Sequence, residues 1–168
     1  CACGHHPVAH GIQGRGQALC LRDSGCHVIV SEMEGTPNFE EAKKDGFIPV
    51  NAADAAKQAD IIQILTQDHV QAKVYQDSIK PNLKKGKALC FSHGFNISFK
   101  RIVTPKDVDV IMIAPKSPGP SEYATYLEGF GVPALLAVQQ DNSGKAKAKA
   151  LGMAKAMHFT KAGVIDLN

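Results

Sequence analysis

The chain lacks tryptophan and is poor in aromatic residues, which make up 6% of its 168 residues. It also lacks an uninterrupted apolar stretch of about 18 residues, the length that a membrane-spanning helix requires. We therefore expect no membrane partner, and the shortage of rings argues against nucleic-acid binding through base stacking. The first residues do not show a basic segment followed by an apolar one, so no signal peptide is indicated and we expect a cytoplasmic protein.

Neither the cysteines nor the charges indicate a specialised class of protein. The five cysteines are odd in number and show no framework spacing, which is typical of reduced thiols rather than disulfides. The net charge is +3, with 6 basic and 10 acidic residues in 1–78 against 13 and 6 in 79–168. Two short runs, at 80–87 and 145–149, hold much of the basic excess beside turn residues, which favours solvated surface over a nucleic-acid groove.

Short apolar segments alternate with amphipathic ones along the whole chain. The expected strands are 26–31, 46–50, 60–65, 87–92, 108–114 and 134–139. The expected helices are about 13–24, 37–45, 52–58, 69–78 and 143–157. This alternation predicts an α/β fold, a doubly wound and mostly parallel Rossmann-like sheet, in a single domain over 1–168. Ligands of such sheets bind beyond the carboxyl ends of the strands.

The first such loop resembles a dinucleotide fingerprint whose first glycine is replaced by Ala9. Gly11 would let the backbone approach a pyrophosphate, and Gly14 would let the following helix pack closely. An ordinary glycine turn that starts a helix remains an alternative. The atypical segment 1–8 contains Pro7, which has no amide hydrogen to donate, so we expect a poor first strand there.

An acidic loop follows the next expected strand. Glu32 and Glu34 could accept hydrogen bonds from an adenosine ribose, and no Lys or Arg lies between Val30 and Phe39 to bind a 2′-phosphate. If a dinucleotide binds, the charge of this loop favours NADH over NADPH. A solvated acidic loop without a ligand is the alternative.

Two further residues at expected strand ends have the chemistry of catalytic groups. His93 follows the strand 87–92, and its imidazole suits proton transfer near neutral pH. Lys116 follows the strand 108–114, where its ammonium could hold a carboxylate or enolate oxygen. Either residue could instead be a polar turn residue with no role in chemistry.

Cysteine and histidine are concentrated at the start of the chain. Soft and borderline metal ligands occur there at Cys1, Cys3, His5, His6 and His10. Their spacing matches no closed structural zinc site, and chain ends often fray. We therefore predict no metal site, although a metal-dependent interaction role of this segment remains an alternative.

The chain resembles ketol-acid reductoisomerase in a series of segments that occur in the same order from about Gly11 to Ile165. These segments are LRDSG at 21–25, KQADII at 57–62, KPNLK at 80–84, HGFNI at 93–97, PKDVDV at 105–110, APK at 114–116 with PG at 118–119, and EGFGVPAL at 128–135. Members of this family are two-domain enzymes of branched-chain amino-acid biosynthesis. They isomerise a 2-acetohydroxy acid by Mg²⁺-assisted alkyl migration and reduce the resulting 2-keto acid with NADPH or NADH.

The resemblance implies roles for particular residues. For cofactor binding these are His10, Gly11, Ile12 and Gln13 at the pyrophosphate, Met33, Thr36 and Asn38 at the ribose and 2′-phosphate, and Asp68, His69, Val70, Gln71 and Gly119 in the cleft. It also implies that His93 is the active-site histidine and that Lys116 lies near substrate and metal.

The chain also departs from the family pattern. The family's helical second domain carries the carboxylates that bind two Mg²⁺ ions, and the sequence stops at Asn168 before any of them. Met33 stands where NADPH-binding members have a basic residue, and Gln67 replaces a usual proline. We expect the isolated chain to be inactive without a helical-domain partner, and homo-oligomers are possible. A stand-alone nicotinamide-nucleotide-binding module without catalysis is the alternative function.

Overall fold

The computed structural model describes residues 6–9 and 12–167. Its strands are β1 (His6–Ala9), β2 (Val28–Ser31), β3 (Ile61–Ile64), β4 (Ala88–Phe91), β5 (Asp109–Pro115), β6 (Ala134–Gln140) and β7 (Val164–Asp166). Its helices are α1 (Ile12–Asp23), α2 (Pro37–Lys44), α3 (Ala52–Gln58), α4 (Asp68–Val74), α5 (Phe95–Ser98), α6 (Gly119–Leu127), α7 (Ala146–Ala156) and α8 (Phe159–Ala162). No helix within these residues is long and apolar enough to cross a membrane.

The described strands form one sheet in the order β2-β1-β3-β4-β5-β6-β7. All pairs from β2 through β5 are parallel, whereas β6 runs antiparallel to β5 and β7 runs parallel to β6. The predicted α/β class, with a doubly wound and mostly parallel sheet in one domain, is confirmed.

Two apolar clusters cover the two faces of the sheet. Ile61 packs in the cluster that contains Leu21 of α1 and Met153 of α7. The next residue, Ile62, packs in the other cluster, which contains Tyr75 of the turn after α4. Successive side chains of a strand point to opposite faces, so burial on both sides explains why β4 is apolar without alternation and why Gln63 is the one polar residue of β3.

The expectation of a poor first strand before the pyrophosphate turn is wrong for residues 6–9. These residues form β1, which pairs with β2 along its whole length and places Pro7 opposite Ile29. Pairing with β3 is limited to Val8 opposite Gln63. Proline removes only one amide donor, and a strand held between two neighbours tolerates that loss.

Residues 46–50 do not form the expected strand. Gly46, at a φ of +86°, ends the turn after α2. Beyond it the chain joins the edge of the sheet only at Val50, which bridges to Ser31. At this bridge the Val50 amide donates to the carbonyl oxygen of Val30 at 3.0 Å, and the Val50 carbonyl oxygen accepts from the amide of Glu32 at 3.2 Å.

Some helical boundaries also differ from the expectation. The helix expected at 69–78 is α4 followed by a π turn at Tyr75–Ile79 and a 3₁₀ turn at Lys80–Asn82. Helix α6 was not among the expected helices; it begins at Gly119 and has Pro120 in its first turn. Proline is well tolerated there because the first helical amides have no intrahelical partner.

Helix α1 packs directly against α6 at Gly16. A Cβ atom added to Gly16 would lie 2.6 Å from the carbonyl oxygen of Gly119, closer than any ordinary van der Waals contact. The sequence analysis assigned close packing of this helix to Gly14, which is buried in α1. The close approach of the two helices depends on Gly16, which the fingerprint does not include.

We expect Gly16→Ala to destabilise the fold by about 1–3 kcal/mol, because backbone must shift to admit the methyl group. Gly152→Ala in α7 is the matched control, since nothing lies within 4 Å of its added Cβ. That control should gain about 0.5–1 kcal/mol from helix propensity. Urea unfolding compares the two, and equal effects would contradict the close approach.

Candidate functional site

The candidate site lies at the carboxyl ends of the parallel strands. The chain runs from β1 outward to β2 and returns to β3 on the other side of β1, so the strand order reverses between β1 and β3. Ligands of open α/β sheets bind at such a reversal. Helix α1 begins here at Ile12, and its free amides and positive dipole end suit a pyrophosphate.

The structure places the predicted pyrophosphate residues at this point only in part. Ile12 and Gln13 are the first two residues of α1, and Gly14 is buried one residue further on. His10 and Gly11 lie outside the described residues. The pyrophosphate assignment of these residues stays a prediction.

A cleft of about 320 Å³ opens at the ends of β3, β4 and β5. It is lined by Ile64, Leu65, Thr66, Gln67, Asp68, Gln71, Ser92, His93 and Pro115. Its size lies within the usual range for small-molecule sites. The hydroxyls of Thr66 and Ser92 are buried and have no hydrogen-bond partner among the described residues. Apolar walls with a few unpartnered polar groups fit one end of a dinucleotide.

A buried amide pair fixes the loop between β3 and α4. Gln71 is 4% exposed, and its Nε2 donates to the carbonyl oxygen of Thr66 at 2.7 Å. Asn96 is fully buried in α5, and its Nδ2 donates to Gln71 Oε1 at 2.9 Å and to the carbonyl oxygen of Asp68 at 3.0 Å. Gln71 therefore lines the cleft, and its side-chain amide fixes the loop between β3 and α4. Asn96 belongs to the HGFNI segment, but no role was expected for it from the sequence.

His93 lies at the mouth of the cleft with 68% of its side chain exposed. Its Nδ1 accepts a hydrogen bond from the amide of Phe95 at 3.3 Å. The same Nδ1 is 3.8 Å from Asp68 Oδ2. Because Nδ1 accepts this hydrogen bond, Nε2 carries the hydrogen of the neutral ring and can donate a hydrogen bond to a ligand.

The residues predicted after β5 lie beside the cleft. Pro115 lines the cleft, and the next residue, Lys116, is exposed and donates its amide to the carbonyl oxygen of Pro133 at 2.8 Å. Its ammonium forms no ion pair with any described residue. Gly119 begins α6 and is buried against Gly16.

The predicted ribose loop connects β2 to α2. Thr36 caps α2: its Oγ1 accepts from the amide of Phe39 at 3.3 Å and donates to the carbonyl oxygen of Met33 at 2.7 Å. Met33 is 75% exposed, Glu32 is half-buried, and Asn38 is exposed in the first turn. The Thr36 hydroxyl therefore shapes the loop.

The nearest basic side chain on α1 is already engaged beside this loop. Arg15 donates from Nε and Nη2 to the two carboxylate oxygens of Asp45, at 2.7 and 2.8 Å. The hydrogen bond to Asp45 raises the pKa of Arg15 despite its partial burial. A 2′-phosphate would have to compete with this carboxylate for the guanidinium.

His69 and Val70 are exposed in the first turn of α4, and neither lines the cleft. If these two residues contact the cofactor, as predicted, they would do so at the rim of the cleft. This assignment also stays a prediction.

No group of three or more His, Cys, Asp or Glu residues that could hold a metal ion occurs in the part of the chain that the structure describes. These residues therefore do not fit the Mg²⁺ site of the family by themselves. Cys1, Cys3, His5 and His10 lie outside the described residues, and nothing is described of the His6 side chain.

Comparison with known proteins identifies the family. The family model described as acetohydroxy acid isomeroreductase, NADPH-binding domain, matches residues 7–163. The chain belongs to the acetohydroxy acid isomeroreductase family. The resemblance to ketol-acid reductoisomerase, the other name of this enzyme, is confirmed.

Individual ketol-acid reductoisomerases are similar over nearly the whole chain. The NAD(+) enzyme of the uncultured archaeon GZfos26G2 is 55% identical over 164 residues, which are 95% of this chain and 49% of that protein. The NADP(+) enzyme of Pyrococcus abyssi is 54% identical over 159 residues, covering 95% of this chain and 48% of that protein.

A solved structure of an NADH-preferring ketol-acid reductoisomerase from an uncultured archaean shares this fold. Its TM-score is 0.95 at 54% identity, over 98% of this chain and 51% of that one. The chain spans about half the length of the curated ketol-acid reductoisomerases that it matches.

In this isomeroreductase domain, we expect Asn96→Ala to cost about 1–3 kcal/mol, because it leaves the Gln71 oxygen buried without a donor. Ser98→Ala, at an exposed position of the same short helix, should change stability by less than about 0.5 kcal/mol. Denaturant unfolding measures both. Equal stability of the two variants would show that the amide pair does not hold the loop.

Proposed function

We propose that this chain is the dinucleotide-binding half of a ketol-acid reductoisomerase, which holds NADH or NADPH and presents His93 and Lys116 to a 2-acetohydroxy acid or 2-keto acid. A helical domain, covalently attached or separate, supplies the Mg²⁺ ligands. The observation that carries this proposal is the position of the cleft. It opens on the same sheet edge as the N-terminus of α1, beside the strand reversal.

Each part of this edge has a distinct task in the proposed reaction. A bound nicotinamide would supply the hydride that reduces the keto carbon. As an imidazolium, His93 would provide a proton from Nε2 at the mouth of the cleft, with Asp68 Oδ2 3.8 Å from Nδ1. The exposed Lys116 ammonium would stabilise negative charge on a substrate oxygen, and Ile64, Leu65 and Pro115 form apolar parts of the cleft wall.

NADH is the cofactor that the ribose loop favours. Residues 31–38 contain two glutamates and no basic residue, and exposed Met33 cannot form an ion pair. A 2′-phosphate would face two negative charges there, whereas a ribose hydroxyl could donate to a carboxylate. Support comes from one relative that is named for NAD(+) and one solved structure that is described as NADH-preferring, whereas two other relatives are named for NADP(+).

We expect the wild-type chain to bind NADH at least as tightly as NADPH. Met33→Arg should shift the ratio towards NADPH by several-fold, because an exposed charge contact contributes about 1 kcal/mol. Met33→Gln is the neutral control of similar size and should leave the ratio within about twofold. Fluorescence titration at one ionic strength measures the affinities, and a clear NADPH preference of the wild type would contradict the loop assignment.

Binding and chemistry should respond to different substitutions. Gly14→Val, in the buried first turn of α1, should weaken cofactor binding at least tenfold, or about 1.4 kcal/mol. His93→Ala and Lys116→Ala should keep cofactor affinity within about threefold, since the groups they remove act mainly in the transition state. Both should abolish 2-keto acid reduction when a helical domain from a related enzyme is supplied.

The controls for this experiment separate the two candidate functions. Exposed Lys100→Ala, in the turn after α5, should retain both binding and turnover. Wild-type turnover by His93→Ala and Lys116→Ala would contradict their catalytic roles. Cofactor binding without any turnover beside the helical domain would favour a stand-alone binding module.

A reducing, cytoplasmic location is part of the proposal. Cys20, Cys26 and Cys90 are buried in the core and form no disulfide within the described residues. Burial raises the pKa of Cys20 and that of Cys90 to about 12, so both remain protonated and unreactive. Cores of this kind are typical of proteins that fold without forming disulfides.

A further inference from the structure

Three buried polar side chains meet between α1, α6 and the sheet. Gln17 of α1 is fully buried, Gln63 of β3 is 3% exposed, and Glu122 of α6 is 1% exposed. Gln63 Nε2 donates to Gln17 Oε1 in a short hydrogen bond. Among the described polar atoms, Gln17 Nε2 and both carboxylate oxygens of Glu122 lack a hydrogen-bond partner. An ionised carboxylate is costly in such a place.

This cluster lies where the two helices that begin at the cofactor edge touch each other. Oε2 of Glu122 is 3.5 Å from the position that a Cβ of Gly16 would occupy. Gly16 is also the point at which α1 meets the first residue of α6, Gly119. The state of this carboxyl group therefore bears directly on the spacing of α1 and α6.

The described groups that face Glu122 do not compensate a negative charge. From α1, Cys20 Sγ lies 3.9 Å from the carbonyl oxygen of Glu122, and its thiol is protonated. Asp23, at the far end of α1, accepts a hydrogen bond from the Tyr123 hydroxyl at 2.7 Å. Arg15 is paired with a carboxylate of the α2 turn, and β3 contributes the neutral amide of Gln63. No described cation forms an ion pair with Glu122.

We propose that Glu122 is a positioning residue of the dinucleotide crevice: its neutral form keeps α1 and α6 in contact, and its ionisation separates them and weakens dinucleotide binding. This inference rests on the proposed binding of a dinucleotide at the N-terminus of α1.

The chemistry of the carboxyl group explains the two states. Either form of the carboxyl group can accept a hydrogen bond from the Gln17 amide and extend the Gln17–Gln63 hydrogen-bond chain, but only the neutral form places no negative charge among these buried groups. An ionised carboxylate accepts only, and it needs water or a cation to offset the cost of burial. Both carboxylate oxygens are buried while α1 and α6 are in contact, so an ionised Glu122 would lack the water that offsets this cost. Burial raises the pKa of Glu122 to about 8, although the nearby Gln17 amide offsets part of the rise.

The direction of the pH effect on stability follows from this raised pKa. An unfolded chain releases the Glu122 proton near the ordinary value of about 4.3, whereas the folded chain keeps it to about pH 8. The stabilisation is thus complete below the ordinary pKa and is lost as pH rises towards 8. Over this window the unfolding constant should rise by up to about tenfold per pH unit from this one group.

The experiment compares the wild-type chain with Glu122→Gln, whose amide resembles the neutral acid in shape. Glu128→Gln is the matched control, an exposed carboxyl at the other end of α6. NADH affinity and urea unfolding are measured between about pH 6 and about pH 9. Between about pH 7 and about pH 9 we expect the NADH affinity of the wild type to fall, and that of Glu128→Gln to fall equally. The fall should be at least threefold larger in these two proteins than in Glu122→Gln.

Further measurements make the outcomes distinct. In the wild type, infrared spectroscopy should show the carbonyl band of a protonated carboxyl group that disappears near pH 8, and this measurement does not depend on any variant folding. Absence of that band at neutral pH, or an unfolding profile of Glu122→Gln parallel to the wild type, overturns the inference. So does a changed unfolding profile with an unchanged pH dependence of NADH affinity. Failure of NADH and NADPH to bind at every pH would refute the proposed function instead, whatever the infrared band shows.

Discussion

Parallel pairing of β2, β1, β3, β4 and β5 is the constraint on which the rest of the structure depends. A parallel pair cannot be joined by a tight turn, so each connection crosses back over the sheet, usually through a helix. All carboxyl ends then lie at one edge, and the loops that follow them meet there. The helices of these crossovers also bury both faces of the sheet, which accounts for the two apolar clusters. The position of the site and the burial of the core on both faces of the sheet are therefore consequences of the same parallel pairing.

Much of this arrangement could be predicted from local sequence, and the exceptions have physical reasons. β3 and β4 are short apolar runs, and their burial on both faces makes them visible without any tertiary information. β1 is different, because neighbours on both sides hold a segment whose own sequence includes Pro7. Residues 46–50 have a sequence that favours a strand, yet they do not form one. They lie at the edge of the sheet, where only one partner strand is present, and they pair with it only at Val50.

The candidate site was predictable as a set of loops but not as a set of contacts. His93 and Lys116 could be found because they follow apolar runs and belong to recognisable segments. The tasks of Asn96 and Gln71 depend on hydrogen bonds between the loop after β3 and the helix after β4, which are far apart along the chain. Likewise, nothing near Gly16 in sequence indicates that the start of α6 packs against it. Such pairings are tertiary, so a pattern of spacing does not contain them.

Under the proposed function, the edge divides into a binding part and a chemical part, which belong to different strands. The N-terminus of α1 and the acidic loop after β2 lie on one side of the strand reversal, and they offer helix amides and carboxylates. The loops after β4 and β5 lie on the other side and offer an imidazole and an ammonium. In their protonated forms these two groups could supply the charge stabilisation and the proton that hydride delivery to a carbonyl would require. The described residues hold no group of three or more His, Cys, Asp or Glu that could bind a metal ion. In the proposed reaction alkyl migration requires in addition a Lewis acid, so that step would draw its metal ligands from outside the described residues.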